Sequence, residues 1–215
     1  MSTDPVRAGA AVATPGPSTV APSERRAQQI AAIAAALVVA AGVVWFDWPA
    51  FIVLALYWIE NVVIGIANVI RLLAVGLGTL FLVPFFCVHY GMFCLVHGIF
   101  VVALFSGDPQ AKNVFFEAPF YMLGRVLSES WGWVALLAIV ASVVVDTARW
   151  FARKRGDMLT TAKTVMHEPY GRIVVLHIVL LAGGFLMQIT KAPQAAVLLL
   201  TVFKLIYDLR RVRKT

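Results

Sequence analysis

The chain reads as an all-α protein, a polytopic transmembrane bundle of about six spans with both termini in the cytoplasm. Three observations carry this reading. Of its 215 residues, 61% are hydrophobic and 13% charged, whereas soluble domains hold about 45–50% and about 25%. Several apolar runs reach the roughly 20 residues that cross a hydrocarbon core. The Lys and Arg residues also gather at those span ends that would share one side of the membrane.

That length accommodates one membrane domain and a short tail. A net charge of +7 would point to nucleic acid in a soluble protein. Here no basic motif with interleaved surface aromatics stands outside the apolar runs, so nucleic acid is excluded as a partner and the lipid bilayer takes its place. Cys87 and Cys94 lie seven residues apart on one expected helix, about 10.5 Å along its axis. A disulfide needs Cα atoms within about 7 Å, so the two cannot bridge each other and no redox compartment follows from them.

Residues 1–27, rich in Ala, Pro, Ser, Thr and Gly, read as a disordered cytoplasmic tail. The membrane domain then covers 28–210, and 211–215 form a basic cytoplasmic end. Arg25 and Arg26 precede an Ala/Val-rich first span at about 28–46. The pattern resembles a signal peptide, but VVWFDWP lacks a small-residue cleavage site, so an uncleaved helix is expected. Trp45, Phe46, Asp47, Trp48 and Pro49 form an interfacial aromatic turn. A second span follows at about 49–70, then a Gly-containing turn, and a third span at about 81–105. Residues 108–129 mix aromatics with Glu117 and Arg125 and read as an interfacial amphipathic segment, too charged to cross. The fourth span is placed at about 131–150, and a polar loop runs from Gly156 to Pro169. The fifth and sixth spans, at about 170–189 and 194–209, form a hairpin around a Thr-Lys-Ala-Pro turn. With the N-terminus inside, fifteen of the 18 Lys and Arg fall inside and only Lys112, Arg125 and Lys191 outside, a strong positive-inside bias.

Titratable groups inside spans are costly to keep and mark functional sites. Glu60 sits near the middle of the second span with Asn61 beside it, and Asn68 lies eight residues on, about 80° round the helix. The third span, FLVPFFCVHYGMFCLVHGIFVVALF, has no Lys, Arg, Asp or Glu but carries His89, His97, Tyr90 and both cysteines. His89 and His97 are about 12 Å apart along the axis, too far to share a metal whose bonds are near 2 Å. Cys94 and His97, at i and i+3, could form half of a metal site. His177 lies roughly 8 Å inside the cytoplasmic end of its span, and His89 also sits in the cytoplasmic half. If their helices are neighbours, the two could hold a transition metal or form the axial pair of a haem. Lys204 and Asp208 pair at i, i+4 on the last span. His167, Glu168 and Tyr170 in HEPYGR stand where they could cap a cytoplasmic mouth, and Gly183-Gly184 permits close packing.

The expectation is therefore that Glu60, His89, His97, His177, Lys204 and Asp208 converge. Glu60, Asn61, Asn68, His97, Lys204 and Asp208 would form a polar or ligand-binding seam, with His89 and His177 as candidate metal ligands. No HExxH, GxSxG, Walker or GxGxxG pattern is present, so no catalytic residue is assigned and zinc-protease, serine-hydrolase and nucleotide-enzyme readings lack support.

Three blocks, YWIENVVIGIANVIRL (57–72), FFCVHYGMFCLVHGIF (85–100) and EPYGRIVVLHIVLLAGGFL (168–186) with KLIYDL (204–209), give the chain a family resemblance. It resembles a bacterial and archaeal integral-membrane family, domain of unknown function family 6498, from the second span onward. The resemblance implies no activity. It implies that Glu60, Asn61, Asn68, Arg71, His89, Tyr90, Gly91, His97, Gly98, His177, Lys204 and Asp208 are motif positions.

Three functions stay open on this reading. The seam of an inner-membrane protein relays protons, or binds or transports a small molecule or ion. Alternatively His89 and His177 hold haem or a metal for redox chemistry. In the third, the chain is a structural membrane partner subunit.

Overall fold

The computed structural model describes residues 22–109, 111, 116–152, 158–171, 173–175, 177, 178, 182, 183, 189 and 193–214. The expectations for the tail before Pro22, Lys112, the charge run at 153–155, Gly184 and the 190–192 turn lie outside these residues. The described residues are helical or irregular, with no strand among them. They form α1 (Pro22–Trp45), α2 (Ala50–Val75), a 3₁₀ turn (Leu77–Thr79), α3 (Leu82–Phe105), α4 (Ala118–Ser128), α5 (Gly132–Ala152), α6 (Met158–His167) and α7 (Pro193–Lys214). Between α6 and α7, positions 170, 171, 173–175, 177, 178, 182, 183 and 189 are also helical.

The second apolar run becomes the hub. Every residue from Ala50 to Ile59 is buried, and Phe51 to Leu56 are 0–2% exposed. A helix that is apolar all round must be covered all round, and α2 packs against α3, α4, α5, α6 and α7. Among the described residues, three helices, α2, α3 and α5, are long and apolar enough to cross a membrane. Their burial differs sharply: 72% of the apolar window of α2 is inside the protein, 33% of that of α3 and 11% of that of α5. α3 buries one face through Phe86, Tyr90, Cys94, His97, Val101 and Phe105 and turns Val88, Met92, Phe100 and Leu104 outward. Apolar surface of that extent is rare on a soluble monomer and suits contact with lipid.

Side-chain contacts give the helix directions. Tyr90 and Trp58 link α3 to α2 in antiparallel order, through Tyr90–Asn61 and Trp58–Cys94. Tyr57–Thr201 and Glu60–Lys204 make α7 parallel to α2. α5 is parallel as well, because Ser130 before it meets Trp48 and Asp146 near its end meets Arg71. Tyr170 lies beside Phe86 and Tyr90, and His177 beside His97, so the 170–177 segment follows the direction of α3.

The core has two parts along α2. One gathers Trp48, the first half of α2, Val101, Val102, Met122, Val126 and Val197; the other gathers Leu72, Phe86, Tyr90, Cys94, Val165 and Ile173. The aromatic turn contributes to the first. Trp45 is 76% exposed, as an interfacial residue would be, but Trp48 is 2% exposed. Its indole donates to Ser130 O at 2.9 Å and its ring lies on Gly42, where a Cβ would collide with it. Trp48 thus pins the α1–α2 corner to the α4–α5 connection.

Two connections are more ordered than the sequence indicates. The 108–129 segment contains α4, which presents Ala118, Met122 and Val126 inward at i, i+4, i+8, each 0% exposed. Phe120, Leu123 and Leu127 stay on the outside, so α4 is apolar on its outer side as well as its inner one. The expected polar loop 156–169 contains α6, whose Ala162 and Val165 pack inward. Its apolar face is narrow and set among Thr and Lys, which is why composition alone reads as loop.

Candidate functional site

At 100° per residue, Tyr57, Glu60, Asn61, Asn68 and Arg71 fall within about a 100° arc of α2. This polar stripe organises two charged clusters, one near the middle of the helix and one near its C-terminal end.

The first lies between α2 and α7. Lys204 Nζ stands 3.1 Å from Glu60 Oε2 and 3.0 Å from Asp208 Oδ2, with all three side chains only 16–20% exposed. The same ammonium lies 5.2 Å from the centre of the Tyr57 ring, a cation–π placement. Tyr57 OH donates to Thr201 Oγ1 at 2.9 Å, and Thr201 donates to Val197 O at 2.9 Å. Spacing explains the assembly: Tyr57 and Glu60 are i, i+3 on α2, and Thr201, Lys204 and Asp208 are i, i+3, i+7 on α7. Among the described residues, the triad sets two carboxylates against one ammonium.

The second cluster ties three elements together. Arg71, 4% exposed, places its guanidinium 2.8 Å from Asp146 Oδ2 on α5 and 3.4 Å from Glu168 Oε2 after α6. It also donates to Thr147 Oγ1 at 3.1 Å. The Asp146 side chain is 52% exposed and that of Glu168 is 30% exposed, so the carboxylates form the solvent side of a buried cation.

The histidines form neither cluster. His97 Nδ1 is 2.6 Å from Phe93 O, and His97 Nε2 is 2.9 Å from His177 Nδ1. A carbonyl only accepts, so His97 donates from Nδ1, and with His97 neutral its Nε2 accepts from His177 Nδ1–H. His89 is exposed and its ring neighbours are Phe85, Phe93 and Tyr170.

Of the six ionisable groups expected to converge, three meet in the α2–α7 triad, two pair with each other, and His89 stands apart. His177 meets His97 instead of His89. Depth measured from Arg172 places the segment too shallow, because Tyr170 already lies two turns into α3 beside Phe86 and Tyr90. A metal held trans between two imidazoles separates their nitrogens by about 4 Å, twice a bond of about 2 Å. The 2.9 Å contact of His97 and His177 is a hydrogen bond, too short for the axial pair of a haem. Among the described residues, no three His, Cys, Asp or Glu side chains are grouped to hold one metal ion.

Asn61 donates from Nδ2 to Tyr57 O at 2.8 Å, and its backbone carbonyl accepts from Tyr90 OH at 2.9 Å. Asn68 is 1% exposed, on the same stripe between the two clusters. Sequence reasoning misses Tyr57, Thr201 and Asp146 and takes Arg71 for a helix end. The signals were present: Tyr57 and Thr201 each precede a buried charge by one turn, and Asp146 is an acid within an apolar helix. Outside the spans, Tyr121 on α4 donates to Asp108 Oδ2 at 3.2 Å. Burial and then the Asp108 carboxylate push its phenol above the ordinary value.

No curated protein matches the chain, and no solved structure does. A family model matches residues 18–215, which include all of both clusters and the histidine pair. The chain belongs to the family of unknown function DUF6498.

Proposed function

We propose that the chain is a multi-pass inner-membrane protein of six spans, with both termini cytoplasmic, whose α2–α7 triad takes up and releases protons or binds a small cation coupled to them. The observation that carries this reading is Lys204 held 3.1 Å from Glu60 and 3.0 Å from Asp208 on facing helices. Two carboxylates on either side of one ammonium can hold a proton among them, and unbalanced charge inside a membrane domain is costly. The group therefore exchanges a proton as a unit.

The topology rests on two supports. Lys and Arg are biased fifteen to three toward one side, and the contacts make α2, α5 and α7 parallel to one another and antiparallel to α3. An up-and-down bundle of six spans has those directions, with the Arg71 end of α2 cytoplasmic.

Purified protein in liposomes, with a pH-sensitive dye inside, tests the function. Wild-type protein is expected to dissipate an imposed pH gradient, and Glu60→Gln to lose at least tenfold of that rate. Equal rates for Glu60→Gln, wild type and protein-free liposomes would sink the reading.

A further inference from the structure

The triad and the Arg71 cluster stand about 16 Å apart along α2, measured from Glu60 to Arg71 at 1.5 Å per residue. Between them lies Asn68, whose Nδ2 and Oδ1 are both buried without a hydrogen-bond partner among the described residues. Asn61 Oδ1 and Arg71 Nε, on the same stripe, are buried and unpartnered as well. Asparagine amides and guanidinium N–H groups are strong hydrogen-bonding groups. Left dry, each would carry its full desolvation penalty, and native proteins rarely leave one so, let alone four on one helix face. Tyr170 OH, buried beside α3, is a fifth such atom.

We propose that Asn68 holds water inside the bundle, in a buried hydrogen-bonded path along α2 that joins the Glu60–Lys204–Asp208 triad to the Arg71–Asp146–Glu168 cluster. The unpartnered atoms comprise two donors, Asn68 Nδ2 and Arg71 Nε, and two acceptors, Asn68 Oδ1 and Asn61 Oδ1. Internal water is retained where two to four such groups converge. Asn68 lies about 4.5 Å from Arg71 and about 10.5 Å from Asn61 along the axis, so a single water reaches the first and a short file reaches the second. At the far end the path opens, because the Asp146 side chain is 52% exposed. This rests on the proton-exchange reading above and extends it: protons leave or reach the triad through the Arg71 end.

The test compares Asn68→Leu with Asn68→Ser in the full-length protein. Leucine keeps the branched heavy-atom shape of the amide but removes both polar atoms; serine is smaller and polar and leaves room for another water. If water fills the site, leucine strands Asn61 Oδ1 and Arg71 Nε, and Asn68→Leu melts about 3 °C or more below both Asn68→Ser and wild type. If the site is dry, leucine relieves two unpaired groups and melts at or above wild type, which overturns the proposal. In liposomes, Asn68→Leu is expected to reduce proton flux at least tenfold while Asn68→Ser keeps most of it. Unchanged flux in a destabilised Asn68→Leu would overturn the path. Should wild-type protein carry no protons, the functional reading falls, and the order of melting alone upholds or overturns the water.

Discussion

Gly65 and Tyr90 make up the tightest joint between α2 and α3, and it depends on a missing methyl. A Cβ at Gly65 would stand 2.5 Å from Tyr90 Cε1. The ring occupies that space while its hydroxyl donates to Asn61 O and its face stacks on Phe86 at 4.8 Å. Gly65→Ala must therefore displace a ring that is 3% exposed, at a cost of about 1–3 kcal/mol. Gly91→Ala is the control one residue beyond Tyr90, where nothing lies within 4 Å of the added carbon. It should be neutral or stabilising by up to about 1 kcal/mol, since alanine favours the helix. Thermal melting of both variants in detergent checks the pair; equal losses would mean that the ring contact contributes nothing. Such contacts are not legible in a sequence, because Gly65 and Gly91 look alike there. Charge is more legible. Glu60, Lys204 and Asp208 could be named as a group because a charge in an apolar helix requires a partner and few are available. The partner of His177 could not, since a shift of two turns between helices exchanges His89 for His97 without altering any local pattern.

At the scale of the element, the apolar runs were legible and their relative burial was not. The third run drew attention for its histidines, but α2 is the hub, and composition cannot distinguish a helix covered by protein from one covered by lipid. Both are apolar all round. α6 illustrates the opposite failure, a helix hidden in polar composition. Ala162 and Val165 are its fully buried residues among those described, and it packs on α2 and delivers Glu168 to Arg71. A proline at the exposed position Lys163 tests whether that helix matters. Lys163→Pro removes an interior hydrogen bond and clashes with the preceding turn, costing about 3 kcal/mol or more, whereas Lys163→Ala should be neutral. In a flexible loop the proline would be tolerated. Melting temperatures that separate the two variants by several degrees are expected, and coincident melting would show that α6 contributes no stability.

For the whole molecule, the two ends of α2 define two sides. Trp48 and Ser130 meet at one end, and Arg71, Asp146 and Glu168 at the other. From Trp48 to Arg71 is about 35 Å of chain, against about 30 Å of hydrocarbon core, so the proposed six-span arrangement puts the two groups at opposite faces of the bilayer. The exposed, mainly apolar surfaces of α3 and α5 occupy the span between them. Ser128, at the end of α4, and Lys163, on α6, are both exposed and report on those two faces. In a background with Cys87 and Cys94 replaced, a membrane-impermeant thiol reagent applied to intact cells should label Ser128→Cys and leave Lys163→Cys untouched. Inverted membrane vesicles should reverse the result. The helix directions require the two positions to lie on opposite sides, and the charge distribution decides which side is outside; the first is a property of the packed core and the second of the loops. Labelling of both positions from the same side would break the six-span arrangement. It would also place the Arg71 cluster and the Trp48 corner in one compartment, a separation that a helix of 26 residues does not allow when upright in the membrane.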